Sequence, residues 1–296
     1  MVTVATFNVK DFFDSPKNAP VLREKARVVA KEIARAEADV IALQEVGSEA
    51  LVREVMSHVP GGEGFEVLFG GADARGIGNA IVTRVPVLSW EAIATDTLPF
   101  PVFREGDAPP FPGRLRLRRP IVRATLAFGP HTATFFCTHW KSKLPKAKEG
   151  PDGKELWWEG GLERAEADLR SLVSRAAEAL FVRGLVEARA SAGEEVVVLG
   201  DLNDTASSVP VRIVRAEGLP HELFPATDAA PAEARTSVLH RGTPEQIDHV
   251  LVTAGLRERV REASFFNEAL RDHPFSPDAE PTVDSDHAMV VVRFVD

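Results

Sequence analysis

Acidic, amide and imidazole side chains recur where apolar runs stop. VATFN closes at Asn8, DVIALQE at Glu45, ATFFCTH at His139, and VVVLGDLND at Asp201 and Asn203. QIDHVLV carries Asp248, and Ser285-Asp286-His287 stands directly before the apolar run AMVVVRF. The end of a buried strand is a costly place for an unpaired charge, because the carboxylate gives up its hydration there. One such residue is an ordinary cap or turn; the repetition is harder to dismiss. Oxygen donors without cysteine suit a hard divalent cation, Mg²⁺ or Mn²⁺, with Ca²⁺ as a further option. Such an ion takes one or two carboxylates and completes its shell with water and phosphate. Glu45 with Asn8 nearby fits that economy. Two imidazoles supply what phosphate-ester cleavage further requires. One stabilises charge on the phosphoryl oxygens or protonates the leaving group, and a carboxylate holds its ring.

These residues need strands and helices to place them. Val2 to Phe7 alternates like a strand, and Leu22 to Ala36 puts Leu22, Ala26, Val29, Ala30 and Ile33 on one helical face. Asp39 to Gln44 reads as a buried strand and Ser48 to Val59 as a helix. Further strands are expected at Phe65–Phe69, Asn79–Thr83, Ile121–Phe128, Thr132–His139, Glu195–Leu199, Ile247–Val252 and Ala288–Phe294, with a long helix from Leu162 to Ala190. Phe100 to Pro120 and Pro145 to Gly161 are too punctuated by Pro and Gly for core strands and read as insertions. Strands and helices mix without regular βαβ alternation, so the expected class is α+β. Neither a linker nor an internal repeat is evident, which makes residues 1–296 one domain.

TFNV, IALQEV, GNAIVTRVP, THWKSK, GDLND, IDHVLV and SDH occur in this order from Phe7 to Phe294. The ordered set resembles the endonuclease/exonuclease/phosphatase superfamily, in particular its deoxyribonuclease-I-like branch and bacterial nucleases with a THxKSK segment. The resemblance implies a four-layer α/β sandwich, two packed mixed β-sheets flanked by helices. It also implies metal-dependent cleavage of phosphodiester or phosphomonoester bonds at one rim.

Carried over residue by residue, Glu45 is the main metal ligand with Asn8 beside it, and Asp286 is a second metal or proton-network residue. Asp201 orients or deprotonates the attacking water, and Asn203 holds a phosphate oxygen or the metal. His287 contacts the scissile phosphate with Asp248 fixing its tautomer, and His139 is the second imidazole on the phosphate. The implied chemistry is in-line attack of water on phosphorus, with the cation as Lewis acid and template. Lys141, Ser142, Lys143, Arg119 and Arg164 are the candidate substrate-binding residues.

Ordinary structural readings stand beside these roles. Glu45 could complement the dipole of the helix after Ser48, and Asn8 could close an Asx turn with Lys10 or Asp11. Asp201 and Asn203 could form a turn, Asp248 and His287 a structural pair, and Asp286 a cap. Lysines near His139 are as readily solvated surface. The alternating Arg/Leu ribbon of Arg114, Arg116, Arg118 and Arg119, with Arg123 nearby, either faces a nucleic-acid backbone or pairs with the chain's own acids. Trp157-Trp158 could stack on bases, meet a membrane interface or cover the core. His249 and His273 carry no motif.

Composition narrows the function classes. With 44% hydrophobic and 27% charged residues the chain is globular, which excludes disorder and collagen-like architecture. Its single cysteine, Cys137, allows no internal disulfide and no CxxC zinc site. A net charge of −9 argues against coating nucleic acid by bulk charge but leaves room for a local cleft or bound cation. With no tyrosine, any relative that uses a tyrosine hydroxyl at the phosphate is a poor guide, and His139 is the better candidate for that place. This weakens the case for a specialised abasic-site repair enzyme. Met1 leads straight into a strand pattern without a secretory signal, so a cytoplasmic monomer without a membrane anchor is expected, or a secreted one if Met1 replaces a removed signal. The leading expectation is a nuclease on DNA, with RNA as a second substrate. The alternative is a phosphatase or phosphodiesterase on a phospholipid, phosphoinositide or other small phosphoester. An inactive binding scaffold is the third reading, and it has no need for Glu45, Asp201, Asp248 and His287 together.

Overall fold

The computed structural model describes residues 1–272 and 280–295; His273 lies outside them. The first half of the chain contributes β1 (Val2–Phe12), α1 (Leu22–Ala36), β2 (Val40–Val46), α2 (Glu49–Ser57), β3 (Glu66–Ala72) and β4 (Gly78–Thr83). β5 (Val87–Ile93), β6 (Ile121–Phe128), β7 (His131–His139), β8 (Lys148–Glu149), β9 (Glu155–Leu156), α3 (Gly161–Ala190) and β10 (Glu195–Asp201) follow. The remainder holds α4 (Val209–Arg215), β11 (Phe224–Pro225), β12 (Val238–His240), β13 (Thr243–Glu245), β14 (Asp248–Val252), α5 (Ala254–Arg257), β15 (Val260–Phe266) and β16 (Met289–Phe294).

Local chemistry accounts for the helix ends. α1 buries Leu22, Ala26, Val29, Ala30 and Ile33 at helical spacing and stops where Glu37 turns left-handed, at φ 49°. α2 starts at Ser48, whose side chain accepts a hydrogen bond from the Leu51 N–H and satisfies a donor the helix leaves free.

Two six-stranded sheets form, in the orders β15-β16-β1-β2-β4-β3 and β11-β14-β10-β7-β6-β5. The orders correspond strand for strand. Each sheet has one parallel pair near its middle, β1 with β2 and β7 with β10, and antiparallel pairs elsewhere. The inner faces meet over a core that includes Val4, Ala42, Leu126, Phe135, Val197, Val250 and Val290. α1 and α2 pack on the outer face of the first sheet through Ala26, Val29, Ile33, Val52 and Val55. α3 and α4 cover the second sheet through Ala177, Val182, Val186, Val211 and Val214. This is the four-layer α/β sandwich, two packed mixed sheets flanked by helices.

The two punctuated segments differ. In the first, Leu115 and Leu117 are buried among the residues under α3 while Arg114 and Arg116 face solvent, so residues 114–117 alternate without forming a strand. The second contains the β8–β9 hairpin and ends at the start of α3.

Candidate active site

The parallel pairs bring their C-terminal ends to one rim, where the two sheets exchange side-chain contacts. From the first sheet comes Asn8, almost wholly buried at the end of the regular β1–β2 pairing. Its Oδ1 accepts from the Lys10 N–H at 2.9 Å, which is the turn its residue type favours. Its Nδ2 donates to Asp201 Oδ2 at 3.0 Å and lies 3.4 Å from Glu45 Oε1. The turn expected at Asn8 is therefore present, and the same side chain also reaches the two carboxylates. Glu45 sits at φ 64°, where the β2–β4 pairing shifts register. That break turns its carboxylate toward the rim, and Oε2 accepts from the Asp11 N–H at 2.8 Å.

The second sheet supplies His139 and Asp201, paired across β7 and β10. A glycine is required beside them. Gly200 has φ +138°, and a Cβ there would stand 1.9 Å from the Thr138 carbonyl oxygen. His139 Nε2 lies 3.3 Å from Asp201 Oδ2 and 4.0 Å from Glu45 Oε1. Asp201 Oδ1 accepts from the Asn203 N–H at 2.8 Å, and Oδ2 accepts from Asn203 Nδ2 at 3.1 Å. Asn203, itself left-handed at φ 54°, also donates from Nδ2 to the Trp140 carbonyl at 3.1 Å.

His287 enters from the segment before β16. Its Nδ1 is 2.8 Å from Asp248 Oδ2, and its Nε2 is 3.5 Å from Asn8 Nδ2 and 3.9 Å from Asp201 Oδ2. The segment is tied down from several sides. Ser285 Oγ donates to the Asn8 carbonyl and accepts from the His287 N–H. The buried ammonium of Lys25 in α1 donates to the carbonyls of Thr282 and Asp284, each at 3.0 Å. Ser237 Oγ accepts from the N–H groups of Ile247 and Asp248, fixing the partner carboxylate. None of Lys10, Lys25, Ser237 or Arg175 stands in a motif; each is recognisable only by what it touches.

Burial and charge set the protonation of these groups in opposite directions. Burial, partly offset by the positive His287, raises the Asp201 carboxyl to about 7. For His287, burial works against the cation but is outweighed by Asp248, through charge and hydrogen bond, and by Asp201 and Asp286, so its pKa rises to about 10. His139 goes the other way, held well below the ordinary imidazole value by burial and by the Arg119 guanidinium. The rim thus holds one cationic and one neutral imidazole around a carboxyl that titrates near neutrality, which is where an acid–base group is most effective.

The candidate substrate-binding residues stand apart from this cluster, each with partners of its own. Arg119 is buried and donates from Nη1 to the carbonyls of His139 and Trp140, both at 3.3 Å, so it supports the end of β7 and is not open to substrate. Lys141 spends its ammonium on its own loop, donating to the carbonyls of Ser142 and Leu144 and to Ser142 Oγ. Ser142 Oγ is occupied by that bond, and Lys143 pairs with Glu245 in β13. Arg164 is at the far end of α3, beside Asp168 and over the Trp158 ring. Asp286 Oδ2 pairs with the Lys10 ammonium at 2.8 Å. His249 is buried, with Nε2 2.9 Å from the Asp204 carbonyl oxygen, and serves the fold.

The donor set tests whether a cation belongs here. Among the described residues no group of three or more His, Cys, Asp or Glu side chains is arranged to hold a metal alone. What the rim offers is the Glu45 carboxylate, its side chain 19% exposed, with Asn8 beside it turning its amide nitrogen toward that carboxylate and its oxygen toward the Lys10 N–H. Few protein oxygens and no thiolate fit an ion that keeps most of its water and takes substrate phosphate as a ligand, as Mg²⁺ does. They do not fit a closed zinc site.

The sequence profile of the endonuclease/exonuclease/phosphatase family matches residues 5–287, nearly the whole chain. The chain belongs to this family. Family members generally are hydrolases of phosphoester bonds. Among solved structures, truncated TDP2 from Caenorhabditis elegans is similar at a TM-score of 0.63 and 15% identity, covering 100% of this chain and 97% of that one. The Bacteroides thetaiotaomicron VPI-5482 mannosyl-6-phosphatase Bt3783 aligns with a TM-score of 0.62, 14% identity and 100% of both chains. An AP endonuclease from Archaeoglobus fulgidus aligns with a TM-score of 0.56, 15% identity and 99% of both chains. At such identities the likeness concerns the fold. No curated protein sequence matches the chain. Among the described residues no helix is long and apolar enough to cross a membrane.

Proposed function

We propose that this family member is a divalent-metal-dependent nuclease of the deoxyribonuclease-I-like branch, hydrolysing phosphodiester bonds of DNA, with RNA as a second substrate. One observation carries the reading: Asn8 and Glu45 from one sheet and His139 and Asp201 from the other meet within hydrogen-bonding reach, with His287 and Asp248 alongside. Glu45, with Asn8 beside it, would hold Mg²⁺ or Mn²⁺, and the ion would supply Lewis acidity at a phosphoryl oxygen.

The other roles belong to the chain's own groups. Asp201 orients the attacking water and accepts its proton at Oδ2. Asn203 steadies that carboxylate through two hydrogen bonds. His287, cationic in the pocket of Asp248, turns Nε2 toward the phosphate and stabilises the charge that grows on its oxygens. His139, neutral, stands between Asp201 and Glu45 as the second imidazole at the phosphate.

The test is a substrate panel: supercoiled plasmid, single-stranded DNA, RNA, sphingomyelin and inositol phosphates, each with Mg²⁺, Mn²⁺, Ca²⁺ or EDTA. Nicking of plasmid that stops on chelation supports the proposal. Nicking that survives EDTA defeats the metal role, and turnover confined to the lipid or inositol substrates replaces nuclease with small-phosphoester hydrolase.

A further inference from the structure

α3 is much longer than the sheet it covers. A helix rises 1.5 Å per residue, so its 30 residues span about 45 Å, whereas the seven residues of β10 span about 23 Å. The excess lies on one side. At its C-terminal end the helix meets the start of the strands, where Arg189 pairs with Glu194 and Glu194 reaches Thr134 of β7. Glu178 accepts from the Lys141 N–H at 2.6 Å, which puts that turn level with the rim just past His139. From Glu178 back to Gly161 the helix therefore continues about 26 Å beyond the active-site rim.

This projection is braced. The segment after His139 runs along it in the opposite direction. Arg175 donates to the carbonyls of Lys141 and Ser142, Ser171 to that of Leu144, and the Lys146 N–H to that of Ala167. At the tip the Glu163 carboxylate accepts from the N–H groups of Glu159 and Gly160, clamping the turn that follows two tryptophans. Trp157 and Trp158 meet edge to face at 5.1 Å, and the Arg164 guanidinium lies 4.9 Å over the Trp158 ring. Trp157 is 61% exposed. An indole left in water, backed by a second, half-buried indole that carries a cation on its face, is not core cover.

We propose that this projection is a substrate arm that receives a single-stranded nucleic-acid segment leaving the site, with a base stacked on Trp157 and Arg164 near its phosphates. The proposal rests on the nuclease reading above and specifies its substrate as a polymer. Stacking on an aromatic face tolerates any base, and Arg adds a cation to it. Membrane insertion is disfavoured because Glu159 directly follows the indoles and Glu155 lies two residues before them, and burying either carboxylate in an apolar layer is costly. At 3.4 Å per nucleotide the arm's reach of 26 Å corresponds to about eight nucleotides, fewer if the strand is stretched.

The test uses the full chain and its Trp157→Ala/Trp158→Ala double variant, with oligodeoxythymidylates of 5 and 20 nucleotides. Binding of a fluorescein-labelled 20-mer is followed by anisotropy in EDTA, and KM and kcat are measured on both lengths with Mg²⁺. The expected result is a loss of about tenfold in 20-mer affinity and a matching rise in its KM. KM for the 5-mer, and kcat on both, stay at the wild-type values. Trp157→Phe with Trp158→Phe restores 20-mer binding. Equal changes on both lengths, or none, overturn the arm. Wild-type 20-mer affinity combined with lost binding to phosphatidylserine vesicles makes the tip a membrane contact instead. A wild-type chain that nicks plasmid but neither binds nor cuts either oligonucleotide overturns the arm, whereas one that cuts neither plasmid nor oligonucleotide refutes the nuclease reading itself.

Discussion

Nδ1 of His287 lies 2.8 Å from Oδ2 of Asp248, and the opposite ring nitrogen faces Asn8 and Asp201. The carboxylate thereby decides both which way the imidazole points and that it carries a charge. His287→Ala is expected to cost at least about a hundredfold in kcat on plasmid DNA, the scale of a lost acid–base or charge-stabilising group. Asp248→Asn, which keeps the shape and removes the charge, is expected to lose activity in the same direction with an unchanged circular dichroism spectrum. Asp201→Asn also falls by at least about a hundredfold. Turnover near wild type in His287→Ala or Asp201→Asn would show these roles to be misassigned.

The same pair makes stability depend on pH. A histidine whose pKa is raised on folding, here from 6.5 to about 10, binds its proton more tightly in the folded chain. Its stabilising contribution is complete below pH 6.5 and disappears as pH rises through 10. Asp201, raised to about 7, acts with the same sign but only at lower pH, where its contribution is lost between 3.8 and 7. Urea midpoints of EDTA-treated protein are therefore expected to fall between pH 7.5 and 10, and to fall less in His287→Gln. Parallel curves for the two proteins would remove His287 as the cause.

Gly200 keeps β7 and β10 close enough for His139 and Asp201 to touch. Gly200→Ala would drive a methyl group to 1.9 Å from the Thr138 carbonyl oxygen, at a φ of +138° that other residues rarely adopt. A stability loss of about 2–4 kcal/mol is expected, together with a lower kcat in whatever fraction still folds. Thermal denaturation and single-turnover cleavage read the two effects separately.

Cys137 sits wholly buried between the sheets, and burial pushes its thiol up to about 12 against a weaker opposing hydrogen bond with Gln44. It should resist a thiol reagent such as dithiobisnitrobenzoate at pH 8 and react with one equivalent once urea unfolds the chain. Prompt labelling of the native protein would show that the inter-sheet core opens readily.

Where a strand is covered on both faces, its pattern could be read directly. β6 runs over Ile121–Phe128 and α1 over Leu22–Ala36, each with the bounds expected from hydrophobic spacing. β5 and β15 have no such signature. Both are edge strands, and VLSWEAI is exposed along most of its length, so nothing forces its residues to alternate. The site follows the same logic. Asn8, Glu45, His139, Asp201 and Asp248 stand out because a polar group at a buried strand end contradicts its surroundings. Lys25 escapes notice, and Arg119 and Lys141 read as facing substrate, because Arg and Lys are normally on the surface, and only the fold reveals that their charges are turned inward onto backbone carbonyls.

The matching strand orders of the two sheets carry a wider consequence. Each half of the molecule contributes one portion of the proposed catalytic group, so that cluster straddles a seam and exists only while both halves stay in alignment. A slip of about 1 Å between them can cost a hundredfold in rate without unfolding either one. Trimming a side chain deep in that seam, such as Phe135→Leu, should therefore slow the enzyme before it melts it, and turnover becomes a gauge of how firmly the halves are locked.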